Sequence, residues 1–281
     1  MGSRRGPRAG GAAGVAWGRR SFIQAAAARG GFGLLALAGA GGLAAQDVPR
    51  GAAVQLDADL VRTGLYLIRG GGGNSLLRLS ANGMVLIDGK RPGNYRALMA
   101  QVRRVSRLSD LPIRVLVLTD HHEEHAGTCA QFLAARISIA AQRNALSRLP
   151  LPQPSDATAG SAVISYDQEH TLRLGGVEVQ LKHFGSACTD GDTVVYFPDL
   201  KVVALGDLFV PGEPEPDLAA GGSLAGWSDV LARVLELDFD QVVPGTGAII
   251  DRSDLVAFKA RVDAAGARAV SLAKGSRDGT G

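Results

Sequence analysis

Thr119-Asp120-His121-His122-Glu123-Glu124-His125-Ala126-Gly127 gathers three of the five histidines in the chain, with carboxylates among them. Imidazole and carboxylate are the side chains that hold zinc and related divalent ions, and a bound ion turns water into hydroxide near neutral pH. The apolar run Val115 to Leu118 stands directly before this segment. A strand that ends in such a burst and then turns into a helix holds the first ligands rigidly, while the turn aims the others at one point.

The surrounding elements must supply that strand and its support. Leu65 to Arg69, Ser75 to Ser80 and Met84 to Asp88 read as short strands, separated by Gly70 to Asn74 and by Ala81-Asn82-Gly83, where Asn-Gly signals a hairpin. Residues 46–60 read as a linker or a first edge strand. Leu98, Met99, Val102 and Val105 recur at helical spacing within Tyr95 to Leu108, and Ile113 to Leu118 reads as a strand buried on both faces. A helix from Thr128 to Arg136 and a strand from Ile137 to Ile139 follow. After a Pro/Ser/Ala-rich loop at Leu149 to Ser161 come strands at Ala162 to Tyr166, His170 to Leu174, Val177 to Lys182, Thr193 to Phe197 and Lys201 to Leu205. Pro211 to Gly222 is a polar Pro/Gly-rich loop. Then come a helix from Trp227 to Leu237, a strand from Gln241 to Val243 and a closing helix from Leu255 to Leu272. Two halves of similar order predict two sheets face to face with helices outside.

The chain of 281 residues is 46% hydrophobic and 20% charged, which suits a packed core. Arg19-Arg20-Ser21-Phe22-Ile23 after a basic start, followed by an Ala/Gly/Leu-rich stretch to Ala45, reads as a twin-arginine export signal over residues 1–45. Its apolar part is too short and glycine-rich to span a bilayer, which takes ~20 apolar residues; a retained anchor is the alternative. The export machinery is thus an expected partner, and residues 46–281 form one domain destined for the periplasm or beyond. The first 45 residues carry six arginines and no acid, which leaves 24 basic against 27 acidic residues, a net charge of −3. The pI near 9.1 belongs to the leader, and nucleic-acid binding loses its main support. No later run is long enough to cross a membrane. Cys129 and Cys188 are the two cysteines. Export in the folded state, from a reducing cytoplasm, weakens a disulfide between them and makes each worth considering alone.

Five motifs in order then resemble those of the metallo-β-lactamase superfamily of metallohydrolases. The family signature H-x-H-x-D-H after a buried strand stands here as Asp120-His121-His122-Glu123-Glu124-His125. The G-x-x-H-T turn stands as Gly185-Ser186-Ala187-Cys188-Thr189, the strand ending in Gly-Asp as Gly206-Asp207, the P-G-H-G turn as Pro244-Gly245-Thr246-Gly247, and an early match is Leu86-Ile87-Asp88-Gly89. The resemblance spans roughly residues 60–250 and implies an α/β (α+β) fold, an αββα sandwich.

The same resemblance implies a metal centre with altered ligands. One family metal position falls on Asp120, His122 and Cys188, and the other on Glu124, His125, Asp207 and Thr246. Asp, His and Cys are competent zinc ligands, whereas the oxygen-rich second set is also open to manganese or iron, and Thr246 is not a usual ligand. A single-metal zinc centre is expected, acting on a small molecule with an ester, lactone, amide or related bond. Glu124, or Asp120 where it is not a ligand, is the candidate general base. A non-catalytic member of the fold, serving as a binding or scaffold protein, is the competing class. A thiol enzyme built on Cys188 with His122 or His183 is a third. His121 is expected on the face opposite His122 and structural, His183 as a pocket wall, and Asp88 and Asp192 as loop holders bonded to backbone N–H groups. Glu213 and Glu215 are expected to be solvated charges on a loop that could overhang the pocket.

Overall fold

The structure is a computed structural model that describes residues 54–106, 111–151 and 162–278. The export segment at residues 1–45, most of the Leu149 to Ser161 loop and the expected helix end at Leu108 lie outside the described residues.

Two sheets form the centre. The first holds β1 (Asp57–Arg62), β2 (Leu65–Arg69), β3 (Ser75–Ser80), β4 (Gly83–Ile87), β5 (Ile113–Val117), β6 (Ser138–Gln142) and β7 (Val163–Tyr166), in that spatial order. The first four strands pair antiparallel, and the last three pairings are parallel. The second sheet runs β13 (Ile250–Asp251), β12 (Gln241–Pro244), β11 (Val202–Gly206), β10 (Val194–Phe197), β9 (Val177–Lys182) and β8 (Glu169–Leu174). Only β11 and β12 are parallel there.

Three apolar clusters account for the layering. Val61, Leu65, Leu67, Val85, Ile87 and Val117 of the first sheet meet Val179, Leu181, Val195, Phe197, Val202 and Val243 of the second, forming the core between the sheets. On the outer face of the first sheet, Leu77, Leu86 and Leu116 pack against α1 (Tyr95–Val105) and α3 (Cys129–Ala134) through Leu98, Val102, Phe132 and Leu133. On the outer face of the second, Val203, Leu205 and Val242 pack against α5 (Leu224–Val234) and α6 (Arg252–Asp278) through Trp227, Leu231, Leu255 and Phe258. The chain is therefore a mixed αββα sandwich, as its pattern predicts. Each fully buried Leu or Phe contributes about 1.5–3 kcal/mol.

Particular elements depart from the sequence reading. The first edge strand is real and begins at Asp57. Arg114 of β5 is exposed, and only from Leu116 is the strand buried on both faces. In α1, Leu98 and Val102 are buried, while Met99 and Val105 are partly buried against the same cluster. Two short helices have no apolar period to announce them, α2 (Glu123–Ala126) and α4 (Arg143–Ser147). The closing helix runs well past its buried residues, and Val270 and Leu272 are exposed. Among the described residues no helix is long and apolar enough to cross a membrane.

The sandwich matters for chemistry because of where its strands stop. The parallel strands β4 and β5, and β11 across the core, deliver Asp88, Asp120 and Asp207 at their carboxyl ends. Backbone at strand ends is free to carry side chains that the packed sheet could not hold. Thr193 N–H donates to Thr119 O at 2.7 Å and stitches the two sheets together beside these ends.

Candidate metal centre

Asp88 is the organising residue behind the site. It follows β4 with φ 58°, in the left-handed region that Asp tolerates better than most residues. Its Oδ1 accepts Thr119 N–H at 2.8 Å, and its Oδ2 accepts the Thr119 hydroxyl at 2.8 Å. The same Oδ2 lies 2.9 Å from His125 Nδ1. Asp88 thus holds a loop, as expected, and also orients an imidazole. A carboxylate at one ring nitrogen fixes the direction of the other, a frequent arrangement behind metal-binding histidines.

His125 is fully buried and held between backbones. A Cβ at Gly73 would sit 2.9 Å from His125 Cε1, and one at Gly245 would sit 2.7 Å from it, so both positions require glycine for close approach. Asn74 ties the same region together by donating to Pro244 O at 2.9 Å and Gly247 O at 3.1 Å. His125 Nε2 then faces Asp207 Oδ1 at 3.1 Å and Asp120 Oδ2 at 3.8 Å. Asp207 is reached by a tight turn: Gly206 has φ 51°, and a Cβ there would lie 2.4 Å from Thr119 Oγ1.

His122 completes the inner group. Its Nδ1 lies 3.1 Å from Asp207 Oδ2 and 3.5 Å from Asp120 Oδ1, and its backbone N–H donates to Asp120 Oδ1 at 2.8 Å. Asp120, His122 and Asp207 offer ligand atoms that all lie within 4.8 Å of one another. Among the described residues, the buried Asp120 Oδ2 has no hydrogen-bond partner. A buried carboxylate oxygen in that state costs several kcal/mol unless it takes a proton or faces a cation. Two carboxylates and an imidazole fit zinc, manganese or iron, so the donor set suits a divalent ion.

The electrostatics follow from burial and mutual pairing. Burial raises the Asp120 carboxyl to about 7, opposed by His125 and assisted by Asp207. His122 is raised to about 9, chiefly by its bond to Asp207. Burial would lower His125, but Asp120, Asp88 and Asp207 overcome it and hold the imidazolium well above its usual range. Burial likewise works against ionised Asp207, yet its bonds to His122 and His125 keep it well below the usual carboxylate range.

Not every sequence-predicted residue joins this group. Glu124 turns outward and pairs with Arg91 at the surface. The reason is helical phase: His122 caps α2, and residues 122 and 125 lie three apart on one side, whereas Glu124 falls between them on another. Cys188 is a free, buried thiol packed in the α5/α6 cluster; burial pushes its pKa upward, and it belongs to neither ligand group. Cys129 is also free and buried. Asp192 is the expected loop holder, accepting Thr189 N–H at 2.8 Å and its hydroxyl at 2.6 Å. His183 lines a side cleft with Lys182, Phe184 and Arg233.

Two residues were missed. His121 does not point away from His122: the two rings lie 4.7 Å apart at 34°. Asp217, from the Pro211 to Gly222 loop, brings Oδ2 to 3.4 Å from His122 Nε2. The only sequence signal for Asp217 was that the loop carrying it could overhang the pocket.

Comparison with known proteins agrees with this architecture. The chain is similar to a metallo-beta-lactamase from Pontibacter korlensis, at TM-score 0.63 and 18% identity over 74% of this chain and 99% of that one. It is similar to the metallo-beta-lactamase FIM-1 from Pseudomonas aeruginosa in its mono-zinc form, at TM-score 0.62 and 19% identity over 76% and 97%. Among curated proteins it is 25% identical over 156 residues to the alpha subunit of a 2,4-dinitroanisole O-demethylase from Nocardioides sp. strain JS1661, covering 55% of this chain. The chain spans about half of that relative, 46% of its length. The family model of the metallo-beta-lactamase superfamily matches residues 68–246, well over half of the sequence, and the chain belongs to that superfamily.

Proposed function

We propose that the chain is an exported metal-dependent hydrolase with an atypical single-ion centre on Asp120, His122 and Asp207. The observation that carries this reading is the buried Asp120 Oδ2, which has no hydrogen-bond partner among the described residues and lies 3.8 Å from His125 Nε2, beside the Asp207 carboxylate. When bound, a divalent ion would supply a water acidic enough to ionise near neutral pH and would polarise the scissile bond.

The remaining roles belong to the chain itself. His125, held by Asp88, fixes Asp207 from one side, and His122 fixes it from the other. Asp120, one candidate base, would be ionised as a ligand of that ion, and its raised carboxyl in the ion-free protein means that binding would displace a proton there. Glu124, the other candidate base, is engaged by Arg91. The substrate class is a small molecule with an ester, lactone, amide or related bond. Similarity to the O-demethylase subunit adds aryl ethers to the panel worth assaying. Arg19-Arg20-Ser21-Phe22-Ile23 supports export by the twin-arginine route to the periplasm or beyond.

A second reading, a member of the fold without catalysis, is favoured by one observation. His122 and His125 already face the carboxylates of Asp207, Asp217 and Asp88, a network that closes without an ion. Elemental analysis of protein purified without added metal separates the two readings. The hydrolase reading expects about one zinc, manganese or iron per chain. It fails below roughly 0.2 per chain with no recovery on metal addition.

A further inference from the structure

A second group of ligand-type side chains lies on the other side of His122. His121, His122 and Asp217 offer ligand atoms that all lie within 4.8 Å of one another. Neither His121 nor Asp217 stands at a ligand position of the family signature. His121 is the variable residue between the first two signature positions, and Asp217 comes from a loop that no motif covers.

The group is held in place by its own bonds. Asp217 N–H donates to Cys188 O at 2.8 Å, and Asp217 Oδ1 accepts Ala220 N–H at 3.1 Å. These leave Oδ2 directed at His122 Nε2, 3.4 Å away. His121 Nδ1 is buried and has no hydrogen-bond partner among the described residues, although its ring lies 4.7 Å from that of His122.

We propose that His121, His122 and Asp217 form a second, outward seat for a divalent cation, alternative to the inner seat on Asp120, His122 and Asp207. Two imidazoles and one carboxylate with open positions are a donor set that zinc and iron(II) accept. A neutral imidazole has a single lone pair, so His122 serves one seat at a time, through Nδ1 inward or Nε2 outward. The inference rests on the metal-binding reading above and adds a place where the ion meets solvent and substrate.

Cobalt(II) titration of metal-free protein, followed by visible absorption, tests it. Wild type is expected to bind about one equivalent. Asp207→Asn, which damages the inner seat, is expected to bind one equivalent within about tenfold of wild-type affinity, and adding His121→Asn or Asp217→Asn is expected to weaken that by about 100-fold. Loss of all cobalt binding in Asp207→Asn, with wild type unaffected, overturns the outward seat and leaves the hydrolase reading standing. So does an Asp207→Asn protein whose affinity is indifferent to His121→Asn and Asp217→Asn. A wild type that binds no cobalt overturns both ideas. Should Asp207→Asn fail to fold, zinc added to ¹⁵N-labelled wild type decides: the His121 side-chain resonance is expected to shift, and not to shift in Asp217→Asn. An unmoved His121 resonance in wild type overturns the proposal.

Discussion

Lys90→Met is expected to change how stability depends on pH. Lys90 is fully buried, and its ammonium donates to Ile68 O at 2.8 Å and Gly73 O at 2.6 Å. Burial lowers its pKa from 10.5 to about 7, against the opposing pull of Asp88. The unfolded chain keeps this proton up to about 10.4, so between about 7 and 10 the unfolded state binds more protons than the folded one. Stability should therefore rise with pH across that window and level off below about 7, where both states hold the proton. At about 1.4 kcal/mol per pH unit, wild type should gain about 2 kcal/mol on Lys90→Met between pH 7.5 and 9. Asp120, Asp192 and Tyr166 also titrate abnormally, but they are common to both proteins and drop out of the difference. The variant also removes the Lys90 donor from two carbonyls, Ile68 O and Gly73 O, an offset that does not vary with pH. Urea unfolding in the presence of a chelator, read by the fluorescence of buried Trp227, measures the difference at several pH values. Parallel curves from pH 6.5 to 9 would refute the reasoning and show that Lys90 stays charged in the fold.

Other substitutions probe the site. In Gly73→Ala the new Cβ meets His125 Cε1 at 2.9 Å and Gly245 O at 3.0 Å, and overpacking of this kind costs about 1–3 kcal/mol; an unchanged urea midpoint would contradict it. Glu124→Gln should leave cobalt affinity unchanged and stability altered by less than about 1 kcal/mol, because its partner Arg91 is exposed. A hundredfold loss of affinity or rate would return Glu124 to the chemistry. Cys188→Ser should change metal affinity by less than about threefold, since the thiol is buried and held protonated. Alkylation of Cys188 that zinc blocks would count against this.

The fold was legible because its signals are local. Alternation and β-branched runs mark strands such as Val177–Lys182, and three- and four-residue spacing marks Tyr95–Val105. The short helix Glu123–Ala126 carries no such period, and its absence from the sequence reading misplaced Glu124. One turn of helix leaves Glu123 in solvent and Glu124 on Arg91, away from His122 and His125.

Sequence alone determined that strand ends would deliver Asp88, Asp120 and Asp207, because motif order and strand pattern are properties of neighbouring residues. Only the tertiary structure decided which of those groups meet. Asp217 reaches His122 across 95 positions of chain, and Asp207 is clasped between two imidazoles by a turn that needs Gly206. Burial is equally non-local: the high pKa of Asp120 and the low pKa of Lys90 arise from apolar surroundings supplied by distant strands.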